Sequence, residues 1–237
     1  MLATGLAALV DELNRLANAQ FATPEFRHLL SIQFTPARAR CYAVHLARYQ
    51  DHRRDCWGYV QGAAPLPVKR LVWQHESDEL INDPRADTDH STLAAREAEA
   101  LGMTPEEFAA YEIVPGATAA FYAWVHLSRD RPWLEAFTVS SMLERRNDDS
   151  VIEGGGLSHR LGHKIAQDLG LPLKNLQNST VHMAADVEHA RLLEWVAERY
   201  ATTDEAQRAM LRAAHDTYVV DCAFRGALAE ALEDITE

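Results

Sequence analysis

The chain has 237 residues, 47% of them hydrophobic and 24% charged, the balance of a folded globular protein, which excludes a disordered chain. Its formal net charge of −12 leaves no basic stripe for nucleic acid or an anionic membrane surface. No apolar run approaches the roughly 20 residues of a membrane span, and Cys41, Cys56 and Cys222 are scattered without a CxxC pair, so neither disulfides nor a zinc ribbon are expected and the protein reads as cytoplasmic.

Leu6, Leu9, Val10, Leu13 and Leu16 recur at helical spacing and predict an amphipathic helix from Leu6 to Asn18. Thr23 before Pro24 and Thr35 before Pro36 are N-caps with proline in the first turn; they open a short helix to Leu30 and a longer one to Tyr59. The stretch from Gly62 to Pro67 ends the second of these, Val68 to Ile81 resumes the pattern, and Asn82, Asp83 and Pro84 break it. Thr88 or Asp89 caps a helix from His90 to Leu101 that stops at Gly102, and Thr104 with Glu107 spells a capping box for a short helix to Tyr111. Ala117 to Leu127 and Pro132 to Arg146 are further helices, followed by a polar loop from Asn147 to Gly156. Leu157 to Gly170, Asn178 to Tyr200 and a last helix capped by Thr203 and reaching Glu233 complete the chain. With no alternating run of strand length and no repeat, the expected architecture is a single all-α domain, residues 1–237, of roughly seven to nine helices.

The segment VHMAADVEHA, Val181 to Ala190, carries the clearest chemistry. At about 100° per residue, His182, Asp186 and His189 share one helical face, so two imidazoles and a carboxylate point into one volume. Nitrogen and oxygen donors of this kind suit a divalent iron, and in a helical bundle such a face is half of a site completed by facing helices. The alternative is a wet surface on which Asp186 holds two exposed histidines. The apolar Met183, Ala184, Ala185 and Val187 between them favour a buried helix.

Taken together, the motifs resemble the haem-oxygenase-like diiron oxidases, the iron-containing branch of the fold that also holds the thiaminase and PQQ-synthase groups. The resemblance spans about Gln33 to Tyr200. FTPARARCYAVHLARYQ looks like the early helix of that fold; QHESDELINDPRADTDHSTLAAREAEALG puts Glu79 and His90 in the roles of the first carboxylate and first imidazole; SSMLERR offers Glu144 as the second carboxylate; and a DLGL approach precedes the closing His182, Asp186 and His189. Two departures stand out. Eleven residues of unbroken helix would separate Glu79 from His90 by ~16 Å, so the helix must break between them. His75 and Glu79 form an i, i+4 pair beside Glu76, which leaves Glu76 as an alternative first carboxylate. Glu135 and Glu153 compete less well with Glu144, and His159 with His163 reads as an exposed pair. Arg38, Lys69 and Arg145 are candidates for holding a substrate carboxylate, none singled out.

The resemblance implies an O2-dependent non-haem diiron oxidoreductase. Two Fe(II) ions held by Glu79, His90, Glu144, His182, Asp186 and His189 would use O2 as co-substrate to oxidise a small amino-acid-derived molecule by N-oxygenation, desaturation or oxidative C–C cleavage, in natural-product biosynthesis. The departures imply that one metal is held loosely. An external electron donor is compatible with the reading, and a homodimer is the ordinary expectation for the fold. A fatty-acid substrate, a metal-free thiaminase-like or PQQ-synthase-like enzyme using the pocket carboxylates for acid–base work, and a non-enzymatic helical binding protein are the other readings.

Overall fold

Prolines and short polar caps punctuate the chain, and they account for where its helices begin. The computed structural model describes residues 5–236, without the side chain of Asp186. Among these, α1 (Leu6–Ala19), α2 (Pro24–Ser31), α3 (Pro36–Ala63), α4 (Leu66–Leu80), α5 (His90–Ala100), α6 (Pro105–Ala110), α7 (Pro115–Arg129), α8 (Trp133–Arg145), α9 (Leu157–Leu169), α10 (Gln177–Tyr200) and α11 (Asp204–Glu233) are α-helical. Single 3₁₀ turns at Gln20–Ala22 and Leu173–Asn175 join neighbours. The described residues contain no strand, only an isolated bridge between Asp83 and Thr88.

The all-α class is as expected, but the eleven α-helices exceed the seven to nine anticipated. Each of them matches a segment read from the sequence, so the excess lies only in counting the short elements, α2 and α6 among them, as helices in their own right. Proline fits the first turn, where a backbone N–H has no partner anyway, so Pro24, Pro105 and Pro115 each open a separate element. Thr23, Thr35, Asp89 and Thr203 accept from backbone N–H groups in the first turns of α2, α3, α5 and α11, and Thr104 with Glu107 makes the full capping box. Helix α3 runs four residues beyond the expected Tyr59. Gly62 does not stop it; the Ala64 N–H still reaches Val60 O at 2.9 Å, and the first residue without a donor is Pro65.

Helix α8 forms the axis of the molecule, with α3, α7, α10 and α11 packed around it. Every residue from Glu135 to Arg145 is buried, so α8 has no solvent face and its polar residues must find partners inside. One apolar cluster joins Trp57 of α3, Phe137 of α8 and Val196 of α10 to α1, and a second gathers Phe26, Tyr42 and Leu161 of α2, α3 and α9. Gly156 is needed where the loop after α8 turns into α9: a Cβ there would lie 2.2 Å from Asn147 O. No described helix is long and apolar enough to cross a membrane.

Candidate metal centre

Helix α10 is pinned near its start by a buried carboxylate. Glu97 of α5 accepts from the Ser179 backbone N–H at 2.9 Å and from its hydroxyl at 3.0 Å, which fixes the rotation of the face that bears His182 and His189. Both imidazoles are buried. The carbonyl of Asn178, one turn back, lies 2.8 Å from His182 Nδ1 and accepts its proton, leaving Nε2 with a lone pair; the Gln50 amide lies 3.1 Å from that nitrogen. Asp186 occupies the α10 position between the two histidines, and its side chain lies outside the described residues.

Between α4 and α5 the backbone breaks as the Glu79 to His90 spacing requires. Asp83 N–H donates to Thr88 O at 2.9 Å, and the reversal places Asp87 at φ 53°, in the left-handed region. One oxygen of Asp83 accepts from the Arg85 backbone N–H and guanidinium at 2.8 and 3.0 Å; the other accepts from His90 Nε2 at 2.8 Å. Fixed in this way, His90 turns Nδ1 back towards Glu79, 3.0 Å from Oε2. Ligand atoms of Glu79, His90 and His182 fall within 4.8 Å of one another, all buried.

A second buried group, His75, Glu144 and His189, converges within the same 4.8 Å limit. It draws on α4, α8 and α10, and His75 Nδ1 is held 2.9 Å from Glu76 Oε1. The groups adjoin: His189 Nδ1 lies 3.6 Å from Glu79 Oε1, the His75 and His189 rings are 4.2 Å apart, and those of His90 and His182 are 4.4 Å apart.

These residues fit metal ions. His90 Nδ1 and His75 Nε2 are buried and make no hydrogen bond, although carboxylate oxygens stand 3.0 and 3.8 Å away. Buried polar atoms are otherwise almost always paired, and imidazole nitrogens crowded against carboxylates are donors arranged for a shared cation. Each imidazole that has a second partner gives it to an acceptor: Asp83 for His90, Glu76 for His75, the Asn178 carbonyl for His182. That is the orienting shell metal-binding histidines carry.

Burial and the neighbouring charges set the state of each of these groups. Arg54 sits 3.0 Å from Glu76 and 2.9 Å from Glu79, a guanidinium placed among carboxylates. Burial opposes the charge on Glu79, yet Arg54 and His90 outweigh it and hold its carboxyl well below the usual range. Burial also opposes the charge on His90, but Glu79 and Asp83 raise its pKa to about 9. Burial pushes His182 down to about 4 and His75 well below its ordinary value, so both stay neutral with a lone pair to offer. Burial lifts Glu76 to about 7.

Of the residues expected at the site, the structure brings Glu79, His90, Glu144, His182 and His189 together. Glu76 lies beside them, bonded to His75 and Arg54. Glu135 is distant in role, paired with Arg131 and Arg212, and Glu153 is exposed in the loop. His163 is exposed and His159 half-buried against Asp149. His75 was not among the expected ligands; its i, i+4 relation to Glu79 was the available signal. A cavity opens beside the centre, lined by Gln50, Arg53, Arg54, Arg146, Arg225 and Asn178 among others. Arg38, Lys69 and Arg145 do not line it. They are engaged by carbonyls near the C-terminus, by Gly62 O, and by Asn14, Ala190 O and Glu194.

Comparison with known proteins bears on the fold and the family. No curated protein matched the sequence. Two solved structures share the fold at low identity. One is a domain of unknown function with a heme oxygenase-like fold from Shewanella denitrificans OS217 (TM-score 0.75, 13% identity, 97% of this chain and 94% of that one). The other is a CADD-like protein of unknown function from Nostoc punctiforme PCC 73102 (TM-score 0.71, 16% identity, 95% of this chain and 97% of that one). The family described as iron-containing redox enzyme matches residues 40–220, a span that includes every residue of both histidine and carboxylate groups, and the chain therefore belongs to that family on a haem-oxygenase-like fold.

Proposed function

We propose that the protein is a non-haem diiron oxidase or oxygenase that uses O2 to oxidise a small amino-acid-like substrate by N-oxygenation, desaturation or oxidative C–C cleavage. The observation that carries the reading is the pair of adjoining buried groups, each of two imidazoles and one carboxylate, with two imidazole nitrogens left without hydrogen bonds. Glu79, His90 and His182 would hold one ion and His75, Glu144 and His189 the other, with Asp186 available from the same face of α10. Iron bound there supplies the reduction of O2 and the oxidising power.

The chain's own contribution is orientation and exclusion of water. Asp83 holds His90 in the tautomer that offers Nδ1, Asn178 O does the same for Nε2 of His182, and Glu76 does it for Nε2 of His75. Gln50 donates to the Asn178 side chain at 3.1 Å and lines the cavity together with Glu79, Glu144 and His182. The buried Trp57 ring, 4.9 Å from that of His75, packs apolar surface against that imidazole.

The test is anaerobic reconstitution with Fe(II), counting iron per chain, followed by addition of O2 while the visible spectrum is recorded. About two irons per chain and a transient band are expected. No iron uptake, or uptake undiminished by His182→Ala combined with Asp186→Ala, would overturn the proposal. Oxygen consumption with amino acids and with fatty acids then separates the two substrate classes.

A further inference from the structure

The cavity beside the metal groups is lined by four guanidinium groups, and their partners are unevenly shared. Arg54 is committed to Glu76 and Glu79. Arg146 and Arg225 divide one carboxylate, Asp221, through contacts of 2.6 and 3.1 Å. Arg53 has no carboxylate within 4.0 Å among the described residues and donates only to the Ser140 carbonyl, at 3.1 Å from Nη2. It is 1% exposed, and its Nε and Nη1 are buried without a hydrogen bond; Nη1 of Arg225, also 1% exposed, is in the same position.

A buried guanidinium with unmet donors is costly, because water has been removed and nothing has replaced it. Both residues face one cavity, where the space open to the centre of a water molecule is about 30 Å³, enough for roughly two waters or one carboxylate group. Among the described residues the carboxylates that line the same cavity are Glu79 and Glu144, each of which belongs to a metal group and not to Arg53 or Arg225. The chain geometry accounts for the placement: Tyr42, Leu46, Tyr49, Gln50, Arg53 and Arg54 form the inner stripe of α3, and Arg225 reaches in from α11.

We propose that Arg53, together with Arg225, forms an anion subsite in this cavity that receives the carboxylate of the molecule to be oxidised, and so restricts the enzyme to carboxylate-bearing substrates. The word substrate rests on the oxidase reading; the anion subsite itself does not. Two guanidinium groups that each turn an unmet N–H donor to one cavity match a carboxylate better than a hydroxyl or amide, since a carboxylate offers a charged oxygen to each. Held there, a substrate has its acid group fixed on the α3 and α11 side of a cavity that Glu79, Glu144 and His182 also line.

The experiment uses the full-length, metal-free protein, with acetate as probe and acetamide as its neutral counterpart at constant ionic strength. Binding is read from the rise in melting temperature and from calorimetric titration. Acetate is expected to raise the melting temperature and acetamide to leave it unchanged. Arg53→Met, which keeps the length of the side chain and removes its charge, is expected to weaken acetate by about tenfold or more and to melt no lower than the wild type without acetate. A merely structural arginine would give the reverse, a lower melting point with the acetate response intact. Should Arg53→Met fail to fold, Arg53→Lys and Arg225→Met decide, each expected to fold and to bind acetate more weakly than the wild type. No acetate response in the wild type, or a full response retained in Arg225→Met together with either Arg53 variant, would overturn the proposal. Iron uptake measured separately keeps the two ideas apart: acetate binding in a chain that takes no iron leaves the subsite and removes the oxidase, and iron uptake without acetate binding does the opposite.

Discussion

The two histidine and carboxylate groups share helices α4 and α10 yet are held differently. Around Glu79, His90 and His182 the orienting partners are a carboxylate that is itself tied to Arg85 and a helix carbonyl, both fixed by backbone geometry. Around His75, Glu144 and His189 the partner of His75 is Glu76, a side chain shared with Arg54 and lifted by burial to about 7. The donor types are the same in both groups, and what differs is what holds the imidazoles in place. On this basis the Glu79 group should bind metal more tightly than the His75 group.

The largest effect that bears on the contrast is expected from Glu79→Ala. It removes the carboxylate of one group and the 3.6 Å neighbour of His189 in the other, so iron per chain should fall to about one or less, whereas Glu76→Ala should keep most of it. A greater loss in Glu76→Ala would exchange the roles of the two glutamates. Next is His75→Ala, expected to empty the second group alone, so that tight iron falls from about two per chain to about one while the spectrum of the remaining ion persists. Unchanged stoichiometry would return His75 to a merely packing role.

Asp83→Asn comes third. It leaves every ligand in place but replaces a charged acceptor for His90, and metal affinity of the Glu79 group should drop by about 10- to 100-fold as measured by competition with a chelator. Glu76→Gln should cost less at the His75 group; an equal or larger loss would erase the proposed difference between the two.

The effect most remote from metal binding concerns the anchor of α10. Burial raises the Glu97 carboxyl from 4.5 to about 7. Because its folded value is the higher one, its contribution is fully present below pH 4.5 and is lost as pH rises towards 7, on the order of 3 kcal/mol in the limit. Glu97→Gln retains an acceptor for the Ser179 N–H and should flatten the pH dependence of unfolding across that window. A slope equal to that of the wild type would show that another group carries the dependence.

Local signals made the helices legible. Thr23, Thr35, Thr104 and Thr203 cap helices as their positions predict, and the start of α5 at His90 follows from Asp89. The face of His182 and His189 was equally plain, since helical phase depends only on sequence spacing. The spacing of Glu79 and His90 demanded a break, and Asn82 to Pro84 supplied its residues. The form of that break, with Asp83 reaching forward to bond His90, was not readable, because it depends on a reversal closed by Thr88.

What the sequence determined by itself was therefore the all-α class, the boundaries of most helices and the shared face on α10: each is set by interactions within a few residues. Tertiary structure alone decided that His75 joins Glu144 and His189, that Arg54 stands between Glu76 and Glu79, and that Arg53 rather than Arg38, Lys69 or Arg145 lines the cavity. Those outcomes turn on which faces of α3, α4, α8 and α10 meet, and that is fixed by packing around a helix with no solvent side rather than by any local pattern.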